Sequence, residues 1–260
     1  MSQENVEIVR PFFLAQLSDP HIGAEWADGD PVAGLVAAVE SVRSMRQQPD
    51  AVLVSGDLAD NATDAEYEQV RQLLAPLQAP LYVLPGNTDD RRALHRHFGV
   101  PGADGDPVQY SVDFGPLRLV VLDTTRPGED PGALDAERLG WLDAELAKAP
   151  ELPTLLAMHH PPLVTGLPAC DELGLPAADR QALGEVVGRH QQLRRLVAGH
   201  VHRTMTGELA GRAVLTVPST YVQAPLNFSS AEDEWVAGPA GFALHAVLDA
   251  NLISHVQLVH

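Results

Sequence analysis

Five short, largely apolar runs in this chain each lead into a side chain that can coordinate a metal ion. The runs at residues 12–17, 51–55, 81–84, 154–158 and 193–198 lead, in that order, into Asp19 and His21, Asp57, Asn87, His159, and His200 and His202. Runs of this length are typical of buried strands, and the sites of open α/β sheets collect at the carboxyl ends of strands. We therefore predict that these seven side chains, which are far apart in sequence, converge on one site.

The segments between these runs have the spacing of amphipathic helices. The periodicity predicts helices at residues 32–48, 64–77, 91–98, 134–147 and 177–190, and further strands at residues 108–113, 117–122, 213–217, 242–248 and 252–258. Strands that alternate with helices favour an α/β fold with parallel pairing, and the strand-rich end favours an antiparallel portion. Residues 249–251 are predicted to form a hairpin turn between the last two strands.

Length and charge limit what the chain can do. It has 260 residues and no segment biased enough to be a linker, so we treat residues 1–260 as a single domain. The net charge of −18 disfavours long nucleic acids and anionic membranes as partners, whereas bound metals could admit a small phosphate-bearing substrate. The chain has one cysteine, a polar N-terminus and no apolar run as long as a membrane span. We therefore expect a cytoplasmic protein without membrane insertion.

The predicted ligand set combines imidazole nitrogens with carboxylate and amide oxygens. Such a mixture suits Mn, Fe, Zn or Co better than Ca or Mg alone. Any one of these residues could instead be a turn, a helix cap or a buried polar group, and a single structural metal would need fewer donors. Seven donors fit two metals that share one carboxylate, the usual arrangement for displacement at phosphorus.

Five motifs carry a family resemblance. SDPH, SGDLAD, PGNTDD, MHHPP and AGHVH, in this order over about residues 12–205, resemble the motifs of calcineurin-like metallophosphoesterases, and most of all the class III cyclic nucleotide phosphodiesterase and glycerophosphodiesterase group. The resemblance implies a four-layer α/β/β/α sandwich with two mixed β-sheets. It also implies two divalent or trivalent transition metals, with Mn or Fe ahead of Zn or Co. The implied ligands are Asp19, His21, Asp57 and His202 for one metal and Asp57, Asn87, His159 and His200 for the other, with Asp57 bridging.

The chain departs from the family pattern at Thr88. The family usually has histidine directly after the asparagine, and that histidine contacts the substrate phosphate and has been assigned transition-state stabilisation or leaving-group protonation. Thr88 can donate a hydrogen bond, but it is a poor general acid near pH 7. His160, next to the predicted ligand His159, could replace the missing histidine, as could His95 or His97 on a predicted helix. Our candidate catalytic residues are Asn87, Thr88 and His160.

The predicted function is metal-dependent hydrolysis of small phosphodiesters, either cyclic nucleotides or glycerophosphodiesters, by attack of a metal-activated hydroxide on phosphorus. One alternative is a phosphomonoesterase or broad-specificity phosphatase at the same site. A nuclease would conflict with the net charge. Another alternative is a non-catalytic scaffold, which Thr88 favours but which has no need of a costly buried polar cluster.

Three further segments are predicted to have roles outside the ligand set. The loops at residues 167–176 and 219–239 are candidate rims of the substrate pocket. The strands at residues 242–248 and 252–258 could lie at a sheet edge and pair across a homodimer or a higher homo-oligomer.

Overall fold

In a computed structural model of the chain, the described residues are 10–229, 235–249 and 251–259, and they form two β-sheets with helices outside. The strands are β1 (Phe12–Leu17), β2 (Ala51–Ser55), β3 (Leu81–Leu84), β4 (Tyr110–Asp113), β5 (Arg118–Val121), β6 (Thr154–Ala157), β7 (Leu193–Ala198), β8 (Met205–Leu209), β9 (Arg212–Thr216), β10 (Gly241–Leu248) and β11 (Asn251–Leu258). The helices are α1 (Pro31–Ser44), α2 (Asp64–Leu74), α3 (Arg91–Phe98), α4 (Ala136–Ala147), α5 (Pro168–Glu172) and α6 (Ala177–Arg189).

Both sheets are mixed. The first has the order β11-β10-β1-β2-β3, in which β1, β2 and β3 are parallel and β10 is antiparallel to both of its neighbours. The second has the order β4-β5-β6-β7-β9-β8, with β5, β6, β7 and β9 parallel and an antiparallel strand at each edge. The predicted sandwich with two mixed sheets is confirmed. Both C-terminal strands were predicted at a sheet edge; β11 lies at an edge of the first sheet, whereas β10 lies inside it, between β11 and β1.

Successive residues of the central strands pack into different layers. Leu119 and Val121 of β5 belong to a core that also includes residues of β1 and β2 of the other sheet. Val120 and Leu122 belong to a second core on the outer face, together with residues of α4 and α6. Because side chains alternate across a strand, one run of apolar residues serves both layers. This explains why the central strands do not alternate apolar and polar residues, as strands do in a sheet with one solvent-exposed face.

Helices α1 and α2 begin at capping side chains and end earlier than the periodicity predicts, whereas α3 lies at its predicted bounds. The Thr63 hydroxyl accepts a hydrogen bond from the Glu66 backbone N–H, and the Glu66 carboxylate accepts one from the Thr63 N–H, which forms a capping box at the start of α2. The prediction of residues 64–77 for this helix was too long, because Pro76 cannot continue it. Helix α1, predicted at residues 32–48, begins at Pro31 behind the cap Asp30 and ends at Ser44.

Two short elements were not predicted. Strand β8 pairs antiparallel with β9 at the edge of the second sheet, and its sequence MTGEL has no apolar run to mark it. Helix α5 forms within the predicted rim loop at residues 167–176. Residues 230–234 of the other predicted rim and Ala250 of the predicted hairpin turn lie outside the described residues. In the part of the chain that is described, no helix is both long and apolar enough to cross a membrane.

Candidate metal centre

The seven predicted ligands follow the carboxyl ends of five strands that are parallel within their sheets. Asp19 and His21 follow β1, Asp57 follows β2, Asn87 follows β3, His159 follows β6, and His200 and His202 follow β7. Six of the seven are buried, and Asn87 is half-buried. The two sheets therefore bring these side chains to one end of the sandwich, as the sequence predicted, and the half-buried Asn87 lies on the side that is open to solvent.

Several of these residues have strained backbones. Positive φ angles between 44° and 67° occur at Asp19, His21, Asp57, His200 and His202. A residue with a Cβ atom in this left-handed region costs on the order of 1–3 kcal/mol, and such strain persists only where surrounding contacts impose it. Here the N–H groups of Asp19 and His21 donate to the carbonyls of Gly56 and Asp57, at 3.1 and 2.9 Å. The strain coincides with the predicted ligands.

Two glycines directly precede predicted ligands because the loops there touch. A Cβ atom at Gly56 would lie 2.3 Å from Nδ1 of His159, and one at Gly86 would lie 2.1 Å from Oδ1 of Asp57. Both distances are far below van der Waals contact. The glycines therefore allow a close approach of backbone and side chain at the Gly-Asp and Gly-Asn motifs.

Hydrogen bonds aim three imidazole rings inward. The Nδ1 atom of each ring lies beside an oxygen acceptor: His21 is 3.0 Å from Asp60 Oδ1, His159 is 2.9 Å from the Ser55 carbonyl, and His202 is 2.9 Å from the Val222 carbonyl. These oxygens accept a hydrogen bond, so Nδ1 carries the proton in each ring. When these rings are neutral, the Nε2 lone pair of each faces the centre of the cluster, the arrangement found around metal-ligating histidines.

The first group consists of Asp19, His21, Asp57 and His202, whose donor atoms all lie within 4.8 Å of one another. The Nε2 atoms of His21 and His202 are only 3.1 Å apart. Because the Nδ1 atoms hold the ring protons, two neutral rings would place facing lone pairs at this distance, which is repulsive unless a proton or a cation lies between them. The donor chemistry of this group fits a metal ion.

The second group is centred on Asn87. Its Oδ1 atom lies 3.1 Å from Nε2 of His159 and 3.2 Å from Nδ1 of His200. The Asp57 carboxylate lies between the two groups, because its Oδ2 atom is 3.2 Å from Nε2 of His159 and 3.4 Å from Nε2 of His21. One carboxylate oxygen thus contacts a member of each group, as a shared ligand would.

The ionisation of the cluster also favours cations. Burial opposes charge on His159, yet the Asp57 carboxylate outweighs it and raises the His159 pKa to about 9. Burial likewise opposes charge on Asp57, but the His159 and His21 rings hold the Asp57 pKa well below its usual range. Burial raises the pKa of Asp19 to about 6. A cluster that retains protons in this way has surplus negative charge, and metal ions would compete with those protons.

His160 lies behind the cluster. Its Nε2–H donates to the Asp130 carbonyl at 3.0 Å, and its Nδ1 accepts from the Thr124 hydroxyl at 2.9 Å. Burial lowers the His160 pKa to about 3, so the ring is neutral near pH 7. Both nitrogens are occupied, and this arrangement leaves the ring no proton for a leaving group. His95 and His97 are also engaged elsewhere, with the Val100 carbonyl and the Asp64 carboxylate.

Thr88 holds the shared carboxylate. Its backbone N–H and its hydroxyl both donate to Oδ1 of Asp57, at 2.9 and 3.0 Å. The hydroxyl is therefore used for Asp57, whose other oxygen contacts the two histidine groups. Thr88 is half-buried beside Asn87, at the open side of the cluster.

Two carboxylates in the motifs were not predicted as site residues. Asp60 accepts from His21 and also from the Trp26 indole N–H at 2.9 Å. Asp89 accepts from the Tyr67 hydroxyl and from three backbone N–H groups, those of Leu58, Ala59 and Gly86. Asp89 thereby ties the loop after β2 to the loop after β3, and burial raises its pKa to about 7. Both residues stand within the quoted motifs SGDLAD and PGNTDD, which could have marked them.

A cavity of about 380 Å³ opens beside the half-buried edge of the cluster. Its lining includes Asn87, Thr88, Arg91, Arg92, Thr125 and Arg126. Arg91 is anchored, because its Nε lies 2.8 Å from the buried carboxylate of Asp123. The cavity therefore has a fixed polar wall and lies next to both Asn87 and Thr88.

Comparison with known proteins supplies the family. A family profile described as calcineurin-like phosphoesterase matches residues 14–204. This range covers all five motifs and the whole predicted ligand set. The chain belongs to this family. As a member, it is a metal-dependent phosphoesterase, and its clustered histidines and aspartates are able to bind two metals.

Relatives match most of the chain. It is 31% identical over 239 residues to a probable glycerophosphodiester phosphodiesterase, GpdQ, of Arcobacter nitrofigilis, covering 89% of this chain and 87% of the relative. It is 35% identical over 239 residues to the 3′,5′-cyclic adenosine monophosphate phosphodiesterase CpdA of Pseudomonas aeruginosa, covering 89% and 85%. A dimetal phosphatase from Danio rerio shares the fold, with a TM-score of 0.71 at 18% identity over 95% of this chain and 96% of that one.

Proposed function

We propose that this chain hydrolyses small phosphodiesters at a two-metal centre. The observation that carries the proposal is the position of Asp57, whose Oδ2 atom contacts both His21 and His159. Asp19, His21, Asp57 and His202 would hold one metal and Asp57, Asn87, His159 and His200 the other. The activities named for the two bacterial relatives, a probable glycerophosphodiester phosphodiesterase and a cyclic nucleotide phosphodiesterase, support a diester substrate.

The charge of the chain also favours a diester. A phosphodiester has one negative charge near pH 7 and a phosphomonoester has nearly two, so a chain with a net charge of −18 repels the diester less. The cavity beside Asn87 and Thr88 offers space for one of the two alcohol groups of a diester. A phosphomonoesterase at the same centre is the second candidate function.

The metals and the chain divide the chemistry between them. When bound, two metal cations acidify water near neutral pH and neutralise charge on the phosphate oxygens. The chain orients the ligands: Asp60 holds His21, the Ser55 carbonyl holds His159, and Thr88 holds Asp57. The Oδ1 atom of Asn87 faces His159 and His200. We propose that the side-chain N–H₂ group of Asn87 donates a hydrogen bond to a phosphate oxygen that gains charge in the transition state.

No acid in the described cluster is placed to protonate the leaving group. His160 is neutral and bonded on both sides, and the Thr88 hydroxyl is directed to Asp57. We propose that protonation comes from water at the half-buried opening, which favours diesters with good leaving groups. Replacing Thr88 by histidine then increases turnover of diesters with poor leaving groups. Unchanged turnover would show that another group already supplies the proton.

The decisive test combines metal analysis with a substrate panel. After dialysis we expect close to two transition metals per chain, with Mn or Fe most effective and Zn or Co next. The panel compares 3′,5′- and 2′,3′-cyclic nucleotides with glycerophosphodiesters, and bis-p-nitrophenyl phosphate with p-nitrophenyl phosphate. Bound metal without hydrolysis of any ester would favour the scaffold alternative, and preference for the monoester would favour the phosphatase. A protein that binds no metal would contradict the proposal.

Compartment and assembly are further proposals. The single cysteine supports a reducing environment such as the cytoplasm. The edge position of β11 supports pairing between two copies of the chain, because an exposed strand edge offers unpaired backbone groups. Light scattering of the purified protein measures the number of chains in the assembly.

A further inference from the structure

Three aromatic side chains pack against the outer side of the first ligand group. Trp26 lies 5.3 Å from the His21 ring, and Trp235 lies 4.6 Å from the His202 ring, measured between ring centroids. Tyr221 completes the set, 5.0 Å from Trp26 in an edge-to-face contact. We call Trp26, Tyr221 and Trp235 the aromatic platform. It adjoins two rings whose Nε2 atoms are 3.1 Å apart inside the cluster.

Hydrogen bonds fix the platform in place. The Trp26 indole N–H donates to Asp60, and the Tyr221 hydroxyl donates to the Ala27 carbonyl at 2.9 Å. Trp235 is followed by Val236, which exchanges two backbone hydrogen bonds with Gln223 at 2.9 and 3.0 Å. These contacts hold the rings where a ligand would meet them, so little conformational entropy is lost on binding.

Part of the platform faces solvent: Trp26 is exposed, Trp235 is half-buried and Tyr221 is buried. Trp26 is 43% exposed, and Leu226 and Phe228, which continue the segment after Tyr221, are 61% and 64% exposed. The Phe228 ring lies over Gly166 of the neighbouring loop. An apolar surface of this kind beside a buried polar cluster is typical of ligand sites rather than of ordinary protein surface.

The chemistry of the platform indicates the kind of group that it binds. Its rings pack directly on one another, with 5.5 Å between the Trp26 and Trp235 centroids, so they present an outer surface and not a box around a cation. The Asp60 carboxylate is already used by His21 and Trp26. A second anionic group on the substrate would meet the negative field of the chain. A neutral, flat, aromatic group fits best.

We propose that the aromatic platform is a specificity subsite for a neutral aromatic group on one alcohol of the phosphodiester. This inference rests on the proposed function, because the phosphate itself would lie at the metal centre. The cavity beside Asn87 and Thr88 lies at the second ligand group, whereas the platform lies at the first. The platform and the cavity would therefore receive different alcohol groups of one diester.

The test uses two phosphonates that cannot be hydrolysed as esters. Phenylphosphonate and methylphosphonate have the same anionic head and differ by the ring. Their binding to Zn²⁺-loaded protein is measured by calorimetry and by tryptophan emission, since Zn²⁺ has no redox chemistry of its own. We expect phenylphosphonate to bind roughly three- to tenfold more tightly, the range typical of one aromatic contact.

Variants assign this preference to the platform. Trp26→Leu and Trp235→Leu should each reduce the ratio of the two affinities, whereas Trp26→Phe should retain most of it. Trp141 of α4, which packs against the outer core, provides the matched control, and Trp141→Phe should leave both the ratio and the emission change intact. The ratio within each variant cancels any general change in metal content.

The outcomes separate the two proposals. If methylphosphonate binds and bis-p-nitrophenyl phosphate is hydrolysed, but the wild type does not prefer the phenyl group, the platform inference alone is wrong. The same conclusion follows if neither leucine variant alters the ratio, or if a phosphonate with a trimethylammonium group binds more tightly than the phenyl compound. If neither phosphonate binds and no ester is hydrolysed, the proposed function fails together with the inference.

Discussion

At the scale of single residues, the side chain of Thr88 orients a predicted metal ligand and is not placed to protonate a leaving group. It stands where the family usually has a histidine, and its hydroxyl and backbone N–H both donate to Oδ1 of Asp57. Hydrogen bonds of this kind orient a metal-ligating carboxylate and keep it ionised. Thr88 is therefore a positioning residue for the ligand that the two proposed metals would share.

Replacing Thr88 by valine should weaken metal binding. Thr88→Val keeps the shape and the backbone N–H but removes the hydroxyl, so Asp57 loses one of its donors. We expect metal affinity to fall by about tenfold, at the lower end of the range for such partners. Competition with a chelating dye measures it. Thr88→Ser is the matched control, because it retains the hydroxyl, and equal affinity of the valine and serine variants would contradict this role.

The sequence predicted the convergence of the candidate ligands better than it predicted the residues that orient them. A histidine, carboxylate or amide side chain shortly after a buried strand is visible in the chain, and all seven such residues meet in the structure. Asp60 and Asp89 look like ordinary turn residues in sequence, and their roles depend on which neighbours the fold brings to them. The Val222 carbonyl, which orients His202, is a backbone group, so the pattern of side chains in the sequence does not indicate it.

At the scale of secondary-structure elements, glycines have opposite roles in a loop and in a helix. Gly86 follows β3, and a Cβ atom there would overlap Asp57. Gly140 lies inside α4, where a Cβ atom would meet nothing within 4 Å. The same substitution should therefore damage the loop and strengthen the helix.

Alanine at these two positions tests that difference. Gly86→Ala should lose metal binding, because either Asp57 or the loop must move. Gly140→Ala should raise the free energy of unfolding by about 0.5–1 kcal/mol, since alanine has the higher helix propensity and restricts the unfolded chain. Thermal unfolding and metal analysis of both variants measure the effects. A Gly86→Ala protein with full metal content would show that the loop has more room than the structure indicates.

Elements with a strong apolar pattern were predicted and weakly patterned ones were not. The buried strands β2 and β3 lie at their predicted bounds, because apolar burial alone defines them. Strand β8 has exposed residues in its middle and is held by pairing with β9. The local sequence pattern gives no sign of that pairing. Helix ends depend on single residues, such as Pro76 after α2, that the apolar period ignores.

At the scale of the whole molecule, a chain of buried and partly buried hydrogen bonds joins the two sheets. Arg195 of β7 donates to the Ser254 hydroxyl of β11, and Ser254 donates to Nδ1 of His245. Nε2–H of His245 donates to Gln16 Oε1 at 2.9 Å, and Gln16 donates to the Ser55 hydroxyl at 2.8 Å. Ser55 is also the residue whose carbonyl orients His159. The chain requires His245 to be neutral, because Nδ1 must accept.

This requirement should make stability depend on pH. Burial, and then the charge of Arg195, lower the His245 pKa from 6.5 to about 3. Between these values the unfolded chain binds a proton that the folded chain excludes, so the contribution of His245 to stability is complete above about pH 6.5 and is lost as the pH falls. A His245→Gln variant lacks this titration and provides the reference.

The stability difference between wild type and His245→Gln should therefore shrink on acidification. Linkage predicts a loss of about 2 kcal/mol between pH 7 and pH 5. Urea unfolding of both proteins at several pH values, with a chelator present so that metal release does not contribute, measures the difference. Histidines of the metal centre titrate in both proteins and cancel. A difference that stays constant over this range would mean that His245 can be protonated in the folded protein, and that the hydrogen-bond chain between the sheets tolerates its reversal.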